Sequence, residues 1–152
     1  MRTRTSLLRH LAPFAFLGTV AVAVPAVAQQ PAAAPPLTNY PACTTTPSRD
    51  DSDVAHGAYI AGKRSFDEND YPTAIQYFKD ALRRDCTKYE LLNIISRAYE
   101  LKGDRPEAIN ALETYVKRAP AADPNLEAIQ KRLANLKAQA AADASSHPAV
   151  IA

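Results

Sequence analysis

Few side chains in this 152-residue sequence have the type and spacing to do covalent or metal chemistry. The two cysteines are Cys43 and Cys86, and beyond the N-terminal leader the only histidines are His56 and His147. Zinc takes a full set of nitrogen and sulfur ligands at close, recurring spacings, and these four residues do not supply one. A lone cysteine pair in an oxidising compartment is instead expected to form a disulfide. Asp50, Asp51 and Asp53 form an acidic run. It suits the start of a helix, whose unpaired N–H groups favour negative charge, better than a cation site. His56, a few residues on, is expected as a surface or groove histidine. There is no glycine-rich phosphate loop, no nucleophile beside a base and no cofactor fingerprint, so neither catalysis nor a cofactor is expected.

The N-terminus has the pattern of an export signal. Arg2, Arg4 and Arg9 are followed by an apolar stretch from Leu11 to Val27, and Ala26-Val27-Ala28 has the small-x-small form of a cleavage site. Pro13, Gly18 and Pro25 interrupt that stretch and argue against a stable membrane-spanning helix. Residues 1–28 are therefore expected to be cleaved after Ala28, leaving a periplasmic or secreted chain without a membrane span; the alternative is that they are retained as a membrane anchor. The whole chain has 18 basic and 16 acidic residues, and three of the basic ones lie in the leader, so the remainder has 15 against 16. A nearly neutral chain with mixed charges gives no support for a nucleic-acid partner.

Residues 29–50 carry five prolines among Ala, Thr and Gln, without an apolar period. They are expected to be an extended or disordered linker. Residues 138–152 are Ala-rich, then Ser-Ser-His-Pro, and are expected as a fraying helix end and loose tail. Between them, over residues 51–137, the chain repeats. Asn69-Asp70-Tyr71-Pro72-Thr73-Ala74-Ile75-Gln76 is answered 34 residues later by Gly103-Asp104-Arg105-Pro106-Glu107-Ala108-Ile109-Asn110. Asp70 and Asp104 are suited to cap a helix whose early proline lacks only an N–H that would be unpaired anyway.

The apolar positions follow with helical spacing. Ala74, Ile75, Phe78, Ala81 and Leu82 form one stripe, and Ala108, Ile109, Leu112, Tyr115 and Val116 form its copy. The helix preceding each is marked by Ala55, Ala58, Tyr59, Gly62 and Phe66, and by Leu91, Leu92, Ile95, Ala98 and Tyr99. A fifth helix is expected from about Asp123-Pro124, with a seam of Leu126, Ile129, Leu133 and Leu136 and with Glu127, Lys131, Arg132 and Lys137 facing away. Such one-sided polarity suits a terminal cap. The fold class is therefore all-α, a helix–turn–helix solenoid.

The 34-residue period and the Gly/Ser…Tyr…Ala…Phe…Pro order resemble tetratricopeptide repeats over about residues 54–137, roughly two and a half units. Gly62, Ala74, Phe78 and Ala81 fit one repeat; Tyr99, Gly103, Ala108 and Pro120 fit the next. Ala58 and Leu92 stand where a large aromatic is usual, Ser65 where Tyr is common, and Tyr115 where a small alanine is common. The resemblance implies a superhelix whose first helices line a concave groove that holds a segment of a protein or peptide partner. On that face Lys63, Arg97 and Lys131 are expected to stack as a basic column, flanked by Tyr59, Asn93 and Glu127 and by Phe66, Glu100 and Ala134. The column would grip carboxylates. The opposing expectation is that these are solvated residues with local partners, such as Glu127 with Lys131. Tyr59, Ile94 and Pro124 do not supply the family's carboxylate-clamp set, which disfavours chaperone-tail recognition. A Cys43–Cys86 bridge would pin the linker onto the first repeat, a loop closure expected to contribute about 3–4 kcal/mol. The resulting expectation is an exported adaptor or scaffold in the cell envelope; the alternatives are a self-associating structural protein, such as a homodimer, and an accessory subunit of an envelope enzyme or assembly complex.

Overall fold

The computed structural model describes residues 35–146. The expected leader, residues 29–34 of the linker and the last six residues of the tail lie outside that range. Five α-helices are present among the described residues: α1 (Arg49–Asp67), α2 (Tyr71–Arg84), α3 (Leu91–Lys102), α4 (Arg105–Arg118) and α5 (Leu126–Ser146). Helix α1 packs on α2, α2 on α3, α3 on α4, and α4 on α5. No helix among the described residues is long and apolar enough to cross a membrane.

The ends of the helices follow local chemistry. Ser48 caps α1, its hydroxyl accepting from the Asp51 N–H at 3.1 Å, and Asp50 and Asp51 occupy the first turn as the acidic run suggested. Asp70 accepts from the Thr73 N–H at 3.2 Å and Asp104 from the Glu107 N–H at 3.4 Å, the same cap in both repeats. The turns before them are also copies. Asp70 N–H reaches back to Ser65 O and Asp104 N–H to Tyr99 O, each at 2.8 Å. Both turns require a left-handed residue, supplied by Gly103 at φ 86° and by Asn69 at φ 63°. Asparagine is among the side chains that tolerate this region best. At the last turn Asp123 takes over: its carboxylate accepts from the Asn125 N–H at 2.8 Å and from the Tyr115 hydroxyl at 2.7 Å.

The apolar stripes of α2 and α4 pack against α3, and with Ile129 and Leu136 of α5 they form one core. Phe78, Leu92, Ile95, Leu112 and Tyr115 are its largest fully buried apolar side chains. Gly62 lets α1 approach α2, because a Cβ there would stand 2.7 Å from a ring carbon of Phe78.

Three expectations about boundaries and faces change. Helix α5 runs on to Ser146, so the stretch after residue 137 expected as a fraying helix end is regular helix, its Ala-rich sequence being a good helix former. Residues 35–48 have no regular secondary structure, but they are not a free linker. Tyr40 packs against the core, Thr38 is hydrogen-bonded to α4, and Cys43 is joined to Cys86 with the Cα atoms 5.2 Å apart. The aromatic ring and the bridge anchor a segment that its composition alone would leave loose. Finally, Arg132 does not face away from the fold but lies across the α3–α5 contact.

Candidate binding groove

Helices α1 and α3 border a groove of about 880 Å³, with the α2–α3 turn at one end and Arg132 of α5 on its far wall. The apolar part comes from helix faces left over after the core is filled. Tyr59 and Phe66 come from α1, and Leu91 and Ile94 from α3. The two aromatic residues are held in place from below by Phe78, whose ring centroid lies 6.0 Å from Tyr59 and 6.5 Å from Phe66. Tyr71 meets Phe66 edge-on at 5.5 Å, and His56 stacks on Tyr59 at 6.5 Å. His56 is thus a groove histidine. These rings form a preordered surface that would lose little side-chain freedom on covering a ligand.

The polar part is one connected network. Arg132 Nε donates to Glu100 Oε1 at 2.9 Å and its Nη1 to Asn93 Oδ1 at 2.7 Å. Arg132 Nη2 reaches the fully buried Ser96 hydroxyl at 3.3 Å and also contacts Glu100. Arg97 approaches the other oxygen of Glu100 at 3.5 Å. At the turn, Asp85 is only 3 % exposed, and its carboxylate accepts from the Thr87 N–H at 3.1 Å and from the Ser52 hydroxyl at 3.4 Å. Lys88 and Glu90 complete that end. Cations and carboxylates are therefore balanced around an apolar floor.

The residues expected to bind are split by this arrangement. Tyr59, Phe66, Asn93 and Arg97 line the groove; Lys63, Glu127 and Lys131 do not. Lys63 turns to Asp67 on its own helix at 3.1 Å. Lys131 and Glu127 are exposed on α5, and the cation aimed at α3 is the neighbouring residue, Arg132. One residue is about 100° around a helix, enough to exchange a solvated side chain for a buried one. A continuous basic column is therefore absent from the groove wall. Arg132, Asp85, Lys88, Leu91 and Ile94 were missed as lining residues. For Leu91 and Ile94 a signal existed, since α3 carries more apolar residues than one core-facing stripe needs.

Tyr115 and Asp123 tie the end of α4 to the start of α5 behind the groove. Burial, then the hydrogen bond to Asp123, pushes the Tyr115 phenol well above its ordinary range. The bond from Tyr115, followed by the Asn125 N–H, holds the Asp123 carboxyl below the usual carboxylate range.

No curated protein matches the chain. A family model described as "Tetratricopeptide repeat" matches residues 65–140, from the last turn of α1 to well into α5. That span is half of the sequence and contains both copies of the Asp-x-Pro cap, the paired left-handed turns and most of the helix that closes the stack. This chain belongs to the tetratricopeptide repeat family.

Proposed function

We propose that this chain is an exported adaptor that holds a segment of a partner protein in the groove between α1 and α3. Tetratricopeptide repeats are protein-interaction units and typically non-catalytic, so the family carries the general role. The groove's chemistry supports the specific one. An apolar floor of Tyr59, Phe66, Leu91 and Ile94 inside a charge-balanced rim suits a helix or extended segment that presents apolar side chains, with polar atoms at its edges. A strongly acidic tail is a poorer fit, because Arg132 already has Glu100 as its partner.

Export to the periplasm or beyond rests on residues 1–28, and the Cys43–Cys86 bridge agrees with an oxidising destination. Recovery of partners from the native cell by intact protein tests the groove. Ile94→Glu combined with Arg97→Glu should abolish recovery, whereas Lys63→Glu combined with Lys131→Glu should not. Equal recovery by both variants would remove the groove from consideration.

A second reading, self-association through α1, has its own observation. Val54 and Ile60 are 48 % and 52 % exposed on the helix that starts the stack. Light scattering decides it, since a strict monomer at high concentration excludes this reading.

A further inference from the structure

On α2 and α4, with the Tyr99 hydroxyl of α3 3.3 Å from the Thr38 hydroxyl, the protein already holds an extended peptide, its own residues 37–43. The contacts are mostly to main chain. Thr38 N–H donates to Glu107 Oε1 at 2.7 Å, the Asn110 side-chain amide donates to Thr38 O at 2.8 Å, and Arg118 donates to Tyr40 O at 3.0 Å and also to Pro41 O. Only two side chains are read. The Thr38 hydroxyl donates to Glu107 Oε1 at 2.8 Å and accepts from Lys79 Nζ at 3.1 Å. The Tyr40 ring is inserted against the core, while its hydroxyl is buried without a partner. Main-chain hydrogen bonds give such a site affinity with little demand on sequence, and the two side-chain pockets set its specificity. Because the Tyr40 hydroxyl is unsatisfied, the second pocket selects for an aromatic ring and accepts Phe as well as Tyr.

A latch keeps this occupant in place. Beyond Pro41 the segment is tied to the first repeat by Cys43–Cys86, with Cys43 exposed and Cys86 half-buried at the end of α2, so a reductant can reach the bond. An external dithiol would attack it, transfer two electrons and two protons to give two thiols, and itself become a disulfide. The segment would then be held by non-covalent contacts alone.

We propose that the α2–α4 face is a second peptide-binding site, closed by residues 37–43 and opened by dithiol reduction of Cys43–Cys86. Its ligand is an extended segment with a small hydroxyl residue followed two positions later by an aromatic ring. This site is independent of the groove between α1 and α3 and stands whether or not that groove is used.

The probe is a fluorescein-labelled synthetic peptide of residues 35–45 carrying Cys43→Ser, followed by anisotropy against the full chain. Oxidised chain should bind it at least about tenfold more weakly than dithiothreitol-reduced chain or the Cys43→Ser chain. Adding Tyr40→Ala to the Cys43→Ser chain weakens the internal competitor and should tighten binding further. Adding Asn110→Ala and Arg118→Ala, both at partly solvated positions, should abolish it while far-UV circular dichroism stays unchanged. Equal binding in both redox states overturns the proposal. So does no binding to the Cys43→Ser, Tyr40→Ala chain with its helicity intact. Hydrogen exchange of the unsubstituted chain gives a second readout, with the Thr38 amide, which donates to Glu107, expected to lose protection on reduction while the five helices keep theirs.

Discussion

Helix α1 contains two glycines in opposite environments, and replacing each by alanine separates packing from helix propensity. At Gly57 an added methyl meets nothing within 4 Å. Alanine there should stabilise the protein by about 0.5–1 kcal/mol, because glycine loses more backbone freedom on folding. At Gly62 the same methyl would stand 2.7 and 2.8 Å from two ring carbons of Phe78 and 3.1 Å from the Tyr77 Cβ. Favourable carbon–carbon contacts lie at about 3.5–4.0 Å, so the ring or the helix must move by several tenths of an ångström or more. Phe78 is fully buried and flanked by Tyr59 and Phe66, so it has no free side to move into. Overpacking of this kind costs about 1–3 kcal/mol, which outweighs the propensity gain. Gly62→Ala should therefore be destabilised by about 1–2 kcal/mol, and the two variants should differ by about 1.5–3 kcal/mol. In a domain of this size each kcal/mol is worth roughly 4–8 °C in Tm. Urea and thermal unfolding of the oxidised proteins give the comparison. If Gly62→Ala matches Gly57→Ala in stability, the close approach of α1 and α2 described above is wrong.

Other perturbations follow from the same contacts. Replacing both Cys43 and Cys86 by Ser should lower stability by up to about 4 kcal/mol by the loop-entropy relation, read from urea midpoints. Arg132→Ala removes an arginine shared by Glu100, Asn93 and Ser96, and should cost about 1–3 kcal/mol and increase hydrogen exchange at the start of α5. The lowered Asp123 carboxyl contributes stability that is present above the unfolded pKa of about 3.9 and lost as pH falls through the folded value. Tyr115→Phe should raise that pKa in a carbon-13 titration and flatten the acid limb of the stability curve. Tyr40, Tyr99 and Tyr115 are all raised, chiefly by burial, so their contribution is intact below the unfolded value of about 10 and lost above it. Unfolding free energy should fall above that pH by up to about 1.4 kcal/mol per pH unit for each phenol, measured by denaturant melts along an alkaline series.

The repeat was legible in the sequence because its signals are local. Asp70 with Pro72 and Asp104 with Pro106 mark helix starts within a few residues, and the buried stripes from Ala74 and Ala108 need only the helical period. Equivalence at 34 residues predicts where a residue sits along its helix but not which neighbours it meets. Lys63 and Lys131 occupy equivalent positions and contribute nothing to the groove wall, while Arg132, on the solvated face by helical period alone, is long enough to reach across to α3. Residues 35–48 were opaque for a different reason. Nothing periodic marks them, and the partners of Thr38 and Tyr40 are 41 to 78 residues away. The one visible hint was a tyrosine among prolines and threonines, close to a cysteine.

A partner segment is proposed to lie in the groove between α1 and α3. The most direct test is site-specific photocrosslinking in the native cell, with a benzophenone side chain placed at Arg97, which lines the groove, or at Lys131, which is exposed outside it. Crosslinking to a discrete partner from position 97, and none from position 131, is the predicted result. The same partner captured from position 131 and not from position 97 would contradict the account.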